Sequence, residues 1–196
     1  VIISDEVALD ADGISTATSV GNNAALVIGG ALASGGSVTN ASARQVTILS
    51  AGNDSSKSFN IVGTDVNGAA LTENLTGANA GTATSSGYFK TIASITAVGN
   101  PAGNVSAGIN NNALGVVFAG RTRLQGFSFV SGGTAGTANL RDTGATGTEV
   151  IQFRSTGTDS QSDGARGFPD EGILFKDGCF VTFIVGTIDL MMFYHA

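Results

Sequence analysis

The stretch Ser56–Thr76, SKSFNIVGTDVNGAALTENLT, decides the fold class. Phe59 and Ile61 alternate with Ser58 and Asn60, the period of two that sends successive side chains to opposite faces of a strand. Asn67-Gly68 then offers two residues that accept the positive φ of a type I′ hairpin turn. The returning segment sets Leu71 and Leu75 on one face and Thr72, Asn74 and Thr76 on the other. Two alternating runs about a turn dipeptide predict a β-hairpin.

The same grammar extends outward. In Gln45–Ser50, Val46 and Ile48 share one face and Thr47 and Leu49 the other. Tyr88–Val98, YFKTIASITAV, is long enough for a strand, but its apolar residues change phase near Ala93, which predicts a bulge there. In Thr122–Ser131, alternation puts Phe127 and Phe129 together, with Leu124 and Val130 opposite. The segment from Cys179 is apolar on both faces, Cys179, Val181, Phe183 and Val185 against Phe180 and Ile184. That pattern suits a strand covered on both sides, or one whose outer face meets another subunit. Gly186 is expected to mark a turn.

Composition agrees with strands and turns. The 196 residues include 29 Gly, 21 Thr and 19 Ser but only three Lys and four Glu, and 12% are charged. Gly costs a helix interior about 1 kcal/mol relative to Ala, whereas Thr, Val, Ile and Phe suit a pleated surface. An apolar share of 42% with net charge −6 is not that of a disordered chain. One Cys cannot pair within the chain, so this is no disulfide scaffold. A pI near 4.5 argues against nucleic acid as partner. No apolar run approaches the roughly 18 to 20 residues of a membrane-spanning helix, so no membrane partner is expected. The chain opens on Val1 without a basic stretch leading into an apolar one, and no secretory signal is read there.

Character changes near residue 117. Two Phe precede Phe118 and nine follow from it, and charge goes from three basic against seven acidic residues to six against eight. The expected architecture is therefore all-β. It comprises an N-terminal arm or strand pair over residues 1–43, a first β domain over 44–117 and a C-terminal β-sandwich over 118–196. Each domain is read as a sandwich or small barrel. The arm is the least regular part. Its run Ala24–Ala33 is small and apolar but broken by Gly29-Gly30, which fits short strands or an arm lying on a neighbour.

Candidate chemistry is sparse. His195 is the single histidine and lies at the chain's penultimate position, where partners are seldom fixed around a side chain, and no GxSxG elbow accompanies it. Cys179 sits in an apolar strand, as a buried inert thiol does. Asp10-Ala11-Asp12-Gly13 begins like a calcium loop but lacks the Glu at the twelfth position, and Asp159–Gly164 reads better as a solvated turn than as a cation site. No catalytic, cofactor-binding or metal residue is assigned, and no enzyme activity is expected. The candidate contact residues are Arg121 and Arg123, which share a strand face and either pair with carboxylates of a neighbouring subunit or are ordinary exposed positions, and Arg166, Phe168, Pro169 and Asp170, which mix charge, an aromatic and a rigid Pro on a contact loop or a plain connecting one.

The segment Gln45–Ile95 and its continuation resemble modules of tailed-bacteriophage virion proteins, through VTI-SAGNDS, F-I-GTD-NG-ALTE, TGANAGTATSS and YFKTI-SIT. The C-terminal part is similar to a small module of the same setting, with RTRLQGFSFVS, a Gly/Thr-rich hairpin, a D/E-G-I-LF-DG strand and a closing aromatic-rich strand. The likeness covers about two-thirds of the chain, and residues 1–43 fall outside it. It implies a virion protein on the particle surface: a head decoration (cement) protein, or a fibre-like appendage that binds a host receptor or glycan. Its implied partners are the major capsid protein or other virion subunits and further copies of itself, with a trimer favoured. It carries over no catalytic residue.

Overall fold

The computed structural model describes residues 2–4, 9–131, 135–155, 162–169, 171–184 and 188–195. It is all-β. In chain order the strands are β1 (Ile2–Ser4), β2 (Asp10–Thr18), β3 (Ala33–Ser34), β4 (Ser37–Ser50), β5 (Ser58–Thr64), β6 (Ala70–Thr76), β7 (Thr82–Val98) and β8 (Val105–Phe118). There follow β9 (Thr122–Ser131), β10 (Gly136–Asp142), β11 (Glu149–Ser155), β12 (Ser162–Gly167), β13 (Ile173–Phe175), β14 (Cys179–Ile184) and β15 (Ile188–His195). The chain forms two compact units, residues 8–110 and residues 1–7 with 111–196, so the division falls inside β8. Most of the segment expected as an arm thus belongs to the first unit, because Ile14, Val20, Leu26 and Val38 are buried in its core.

In the first unit β7 pairs with β4 and then with β5, which pairs with β6. The β5–β6 hairpin lies where alternation places it, with Phe59 and Ile61 at 0% exposure and Leu75 buried. Its turn is not the expected type I′. Only Gly68 has positive φ, +83°, and its N–H donates to Asp65 O at 3.1 Å. Asp65 Oδ1 accepts from the amides of Asn67 and Ala69 at 2.8 and 2.9 Å. The carboxylate therefore fixes a type I-like turn closed by a left-handed Gly, the three-residue alternative.

The expected bulge is at Ala93. Val62 lies opposite Ser94 and Gly63 opposite Ile92, leaving Ala93 unopposed, and this phase change lets both Ile92 and Ile95 face the core. Gly63 makes the approach possible, since a Cβ there would collide with the carbonyl oxygen of Thr91. Asn40, the first residue of an Asn-Ala-Ser sequence, is buried and donates to Phe89 O at 3.0 Å.

In the second unit β14 lies between β10 and the second half of β8. β15 lies between β1 and β9, and β9 also pairs with β12 and β13. Cys179, Val181 and Phe183 are buried on one face of β14, and Phe180 and Thr182 on the other. Both faces of Cys179–Phe183 are thus buried within the chain, so this part of the strand is not an open surface for a second copy; the side chains of Ile184 and Val185 lie outside the described residues. Gly186 lies outside the described residues. Strict alternation in β9 also gives way to a bulge. Gly126 faces Phe193 and Leu124 faces Tyr194, so Gln125 is the extra residue. That shift brings Leu124 and Phe127 to the same core, where Phe127 meets Phe153 at a ring separation of 4.5 Å.

Candidate interaction surface

Register in the second unit assembles a row of unlike residues. Arg123 on β9 lies opposite His195 on β15 and opposite Leu174 on β13. These three, with Arg121 and Thr122, line a cleft of about 180 Å³. Thr122 closes its floor by donating from Oγ1 to His195 O at 2.8 Å. Arg121, Arg123 and His195 are three of the chain's ten basic side chains, nine Lys and Arg plus one His, gathered on a protein of net charge −6.

The Pro-containing loop reaches the same cleft. Glu171 pairs with Arg123 at 2.9 Å, and because Glu171 is 78% exposed the pair adds little stability. Its value is positional, holding one guanidinium while Arg121 remains exposed. Gly172 gives the loop its course, with φ +75° and an N–H to Pro169 O at 3.3 Å. A Cβ at Gly172 would strike Leu124 O.

The sequence candidates therefore divide. Arg121 and Arg123 come together, and Arg166 and Pro169 are exposed. Phe168 turns inward, its ring 5.7 Å from Phe127 and its amide bonded to Gln125 O at 2.8 Å, so it anchors the loop. Asp170 lies outside the described residues. Alternation did not reveal that His195 joins the arginines, which depends on pairing β15 with β9, or that Glu171 does, which depends on the loop before β13.

Beside the cleft, β15 and β9 carry large apolar side chains outward. Val130, Met191 and Phe193 are 40%, 40% and 46% exposed, whereas Tyr194, opposite the buried Leu124, lies on the other face of the strand. Gly126 opposite Phe193 leaves that side chain without a bulky neighbour on β9, whereas Met191 lies between Ser128 on β9 and Ile2 on β1. The ring of Tyr194 is anchored 5.5 Å from that of Phe118. Exposed aromatic and Met side chains beside Arg are the composition enriched at protein contacts.

Other candidates are structural. Cys179 is buried, and burial, with the nearby Asp142 charge, pushes its thiol up to about 12. Burial also raises the Asp142 carboxyl, but amide bonds from Asp177, Lys176, Thr143 and Gly178 prevail and hold it below 3.8. Those from Lys176 and Asp177 are both 2.9 Å, pinning the turn between β13 and β14 to the end of β10. Asp10 Oδ1 accepts from Asp12 N at 3.3 Å at the start of β2. Asp159 lies outside the described residues, among which no group of three or more His, Cys, Asp or Glu is placed to hold a metal. A groove of about 270 Å³ in the first unit is lined by Ser15, Thr16, Thr18, Val27 and Gly29, without a charged group. No described helix is long and apolar enough to cross a membrane.

Compared with protein-family models, curated proteins and solved structures, the chain matches none.

Proposed function

We propose that this chain is a structural protein of a bacteriophage particle, a decoration protein that binds across neighbouring shell subunits and stabilises the head. The observation that carries the reading is the surface of β15 and β9, where outward Met191, Phe193 and Val130 lie beside the cleft of Arg121, Arg123 and His195. Apolar side chains of this size are burial sites for a partner, and an arginine cleft suits that partner's carboxylates. The resemblance of Gln45–Ile95 to phage virion modules supplies the setting. The same face serves association with further copies of the chain.

Copy number tests the proposal. Quantitative mass spectrometry of particles should find the chain in numbers comparable to the shell protein, whereas a dozen copies or fewer would sink the shell-wide role and favour an appendage. Phe193→Asp should weaken binding to shells lacking the protein by at least about tenfold, the equivalent of 1.4 kcal/mol. Unchanged binding by a folded variant would move the contact surface elsewhere.

A further inference from the structure

Three loops of the first unit, residues 50–57, 77–81 and 99–104, converge through their backbones. Ser50 N donates to Gly81 O at 2.9 Å, Ala51 N to Asn104 O at 2.9 Å, Asp54 N to Ala78 O at 2.9 Å and Ala80 N to Gly52 O at 2.8 Å. Glycine permits the approach. A Cβ on Gly77 would lie 2.7 Å from Asp54 O, and one on Gly52 would lie 2.9 Å from Ala102. The virion-like strings SAGNDS and TGANAG supply two of the three loops.

Asp54 lies inside this junction at 0% exposure. Its Oδ1 accepts from Ala102 N at 2.7 Å, but its Oδ2 is buried without a hydrogen-bond partner. Ser50 Oγ, 1% exposed at the start of the same loop, is likewise unpartnered. A carboxylate out of water requires compensation of both its lone pairs and its charge. Lys57 is the only basic residue in the three loops, and no described ion pair joins it to Asp54; its aliphatic stem lies against Gly99.

We propose that Asp54 Oδ2 binds a small monovalent cation of the sodium type, with Ser50 Oγ as a neutral oxygen donor. The three loops contain no second carboxylate, so one positive charge balances the site and two would leave an excess. Oxygen donors alone, without nitrogen or sulfur, select a hard ion. A water molecule would satisfy the lone pair but leave the charge uncompensated. The ion ties together loops that precede β5, follow β6 and follow β7, so stability depends on it.

The test is thermal unfolding of the full chain in sodium chloride and in choline chloride at equal ionic strength. An ion held only by the folded state raises the melting temperature by mass action, here by about 5 °C or more in sodium. Asp54→Asn should melt at the same temperature in both salts. If that variant does not fold, Ser50→Ala should need several-fold more sodium for the same rise. Equal melting of the unmodified chain in the two salts overturns the proposal in favour of an Asp54 that holds no metal ion. A sodium response retained by Asp54→Asn places the ion elsewhere, and a larger response to calcium at matched ionic strength refutes the monovalent assignment.

Discussion

Replacing Ser85 with Ala should cost more than any other hydroxyl deletion in the first unit. Between β4 and β7 the ladder slips, with Gln45 opposite Tyr88 and Thr47 opposite Thr84, so Val46 faces three residues. Side chains supply what the ladder lacks. Ser85 Oγ accepts from Val46 N at 2.8 Å and donates to Gly87 O at 2.9 Å. Gln45 Nε2 donates to Ser85 O at 2.8 Å, and the Glu73 carboxylate accepts the amides of Ser86 and Gly87, both at 2.8 Å. Val46 and Ser85 are 0% and 1% exposed, so water does not reach the orphaned amide. A buried donor left unpaired costs about 1–3 kcal/mol, and the Gly87 carbonyl loses a further bond of about 1 kcal/mol. We predict a loss of about 2–4 kcal/mol, read as a fall of roughly 1–2 M in urea midpoint at unchanged slope. A loss below about 0.5 kcal/mol would refute the assignment of Ser85 as the ligand of the bulge.

Asp142 should contribute to acid stability. Its unfolded carboxyl takes up a proton near 3.8, before the folded one does, so the contribution is present above that pH and disappears as pH falls through the lower folded value. Asp142→Asn should therefore be less stable than the unmodified chain at neutral pH, with the difference shrinking in acid denaturation below 3.8; a constant difference would refute the amide-held carboxylate. Cys179, its thiol pushed up to about 12 from 9.0, should resist iodoacetamide while folded and react on unfolding. Stability that depends on the un-ionised thiol is complete below 9.0 and is lost as pH rises toward 12; rapid labelling of the native chain would show that the thiol is reached.

Local pattern carried the reading wherever a feature was set by neighbours in sequence. The β5–β6 hairpin and the bulge at Ala93 were legible because alternation, and a break in it, are local properties. The hairpin's turn type was not, since the side chain of Asp65 outweighed the preference of Asn-Gly. In β9 the extra Gln125 shows only in pairing with β15, so alternation assigned Leu124 and Phe127 to opposite faces. The cleft was half legible. Arg121 and Arg123 stand two apart, whereas His195 arrives by strand pairing and Glu171 by the turn that Gly172 permits. Nothing near Asp54 in sequence announces that two other loops cover it.

Pairing of β1 with β15, Ile2 against Met191 and Ser4 against Asp189, also orders events during synthesis. Residues 8–110 hold their own core and leave the ribosome first, so that unit can fold while the rest is still being made. Until β15 emerges, β1 has no strand to join. Closing that pair spans nearly the whole chain, the kind of contact that forms late and slowly. β1 is therefore made before every other described strand yet is among the last to be placed, and the second unit is completed only once β15 has emerged.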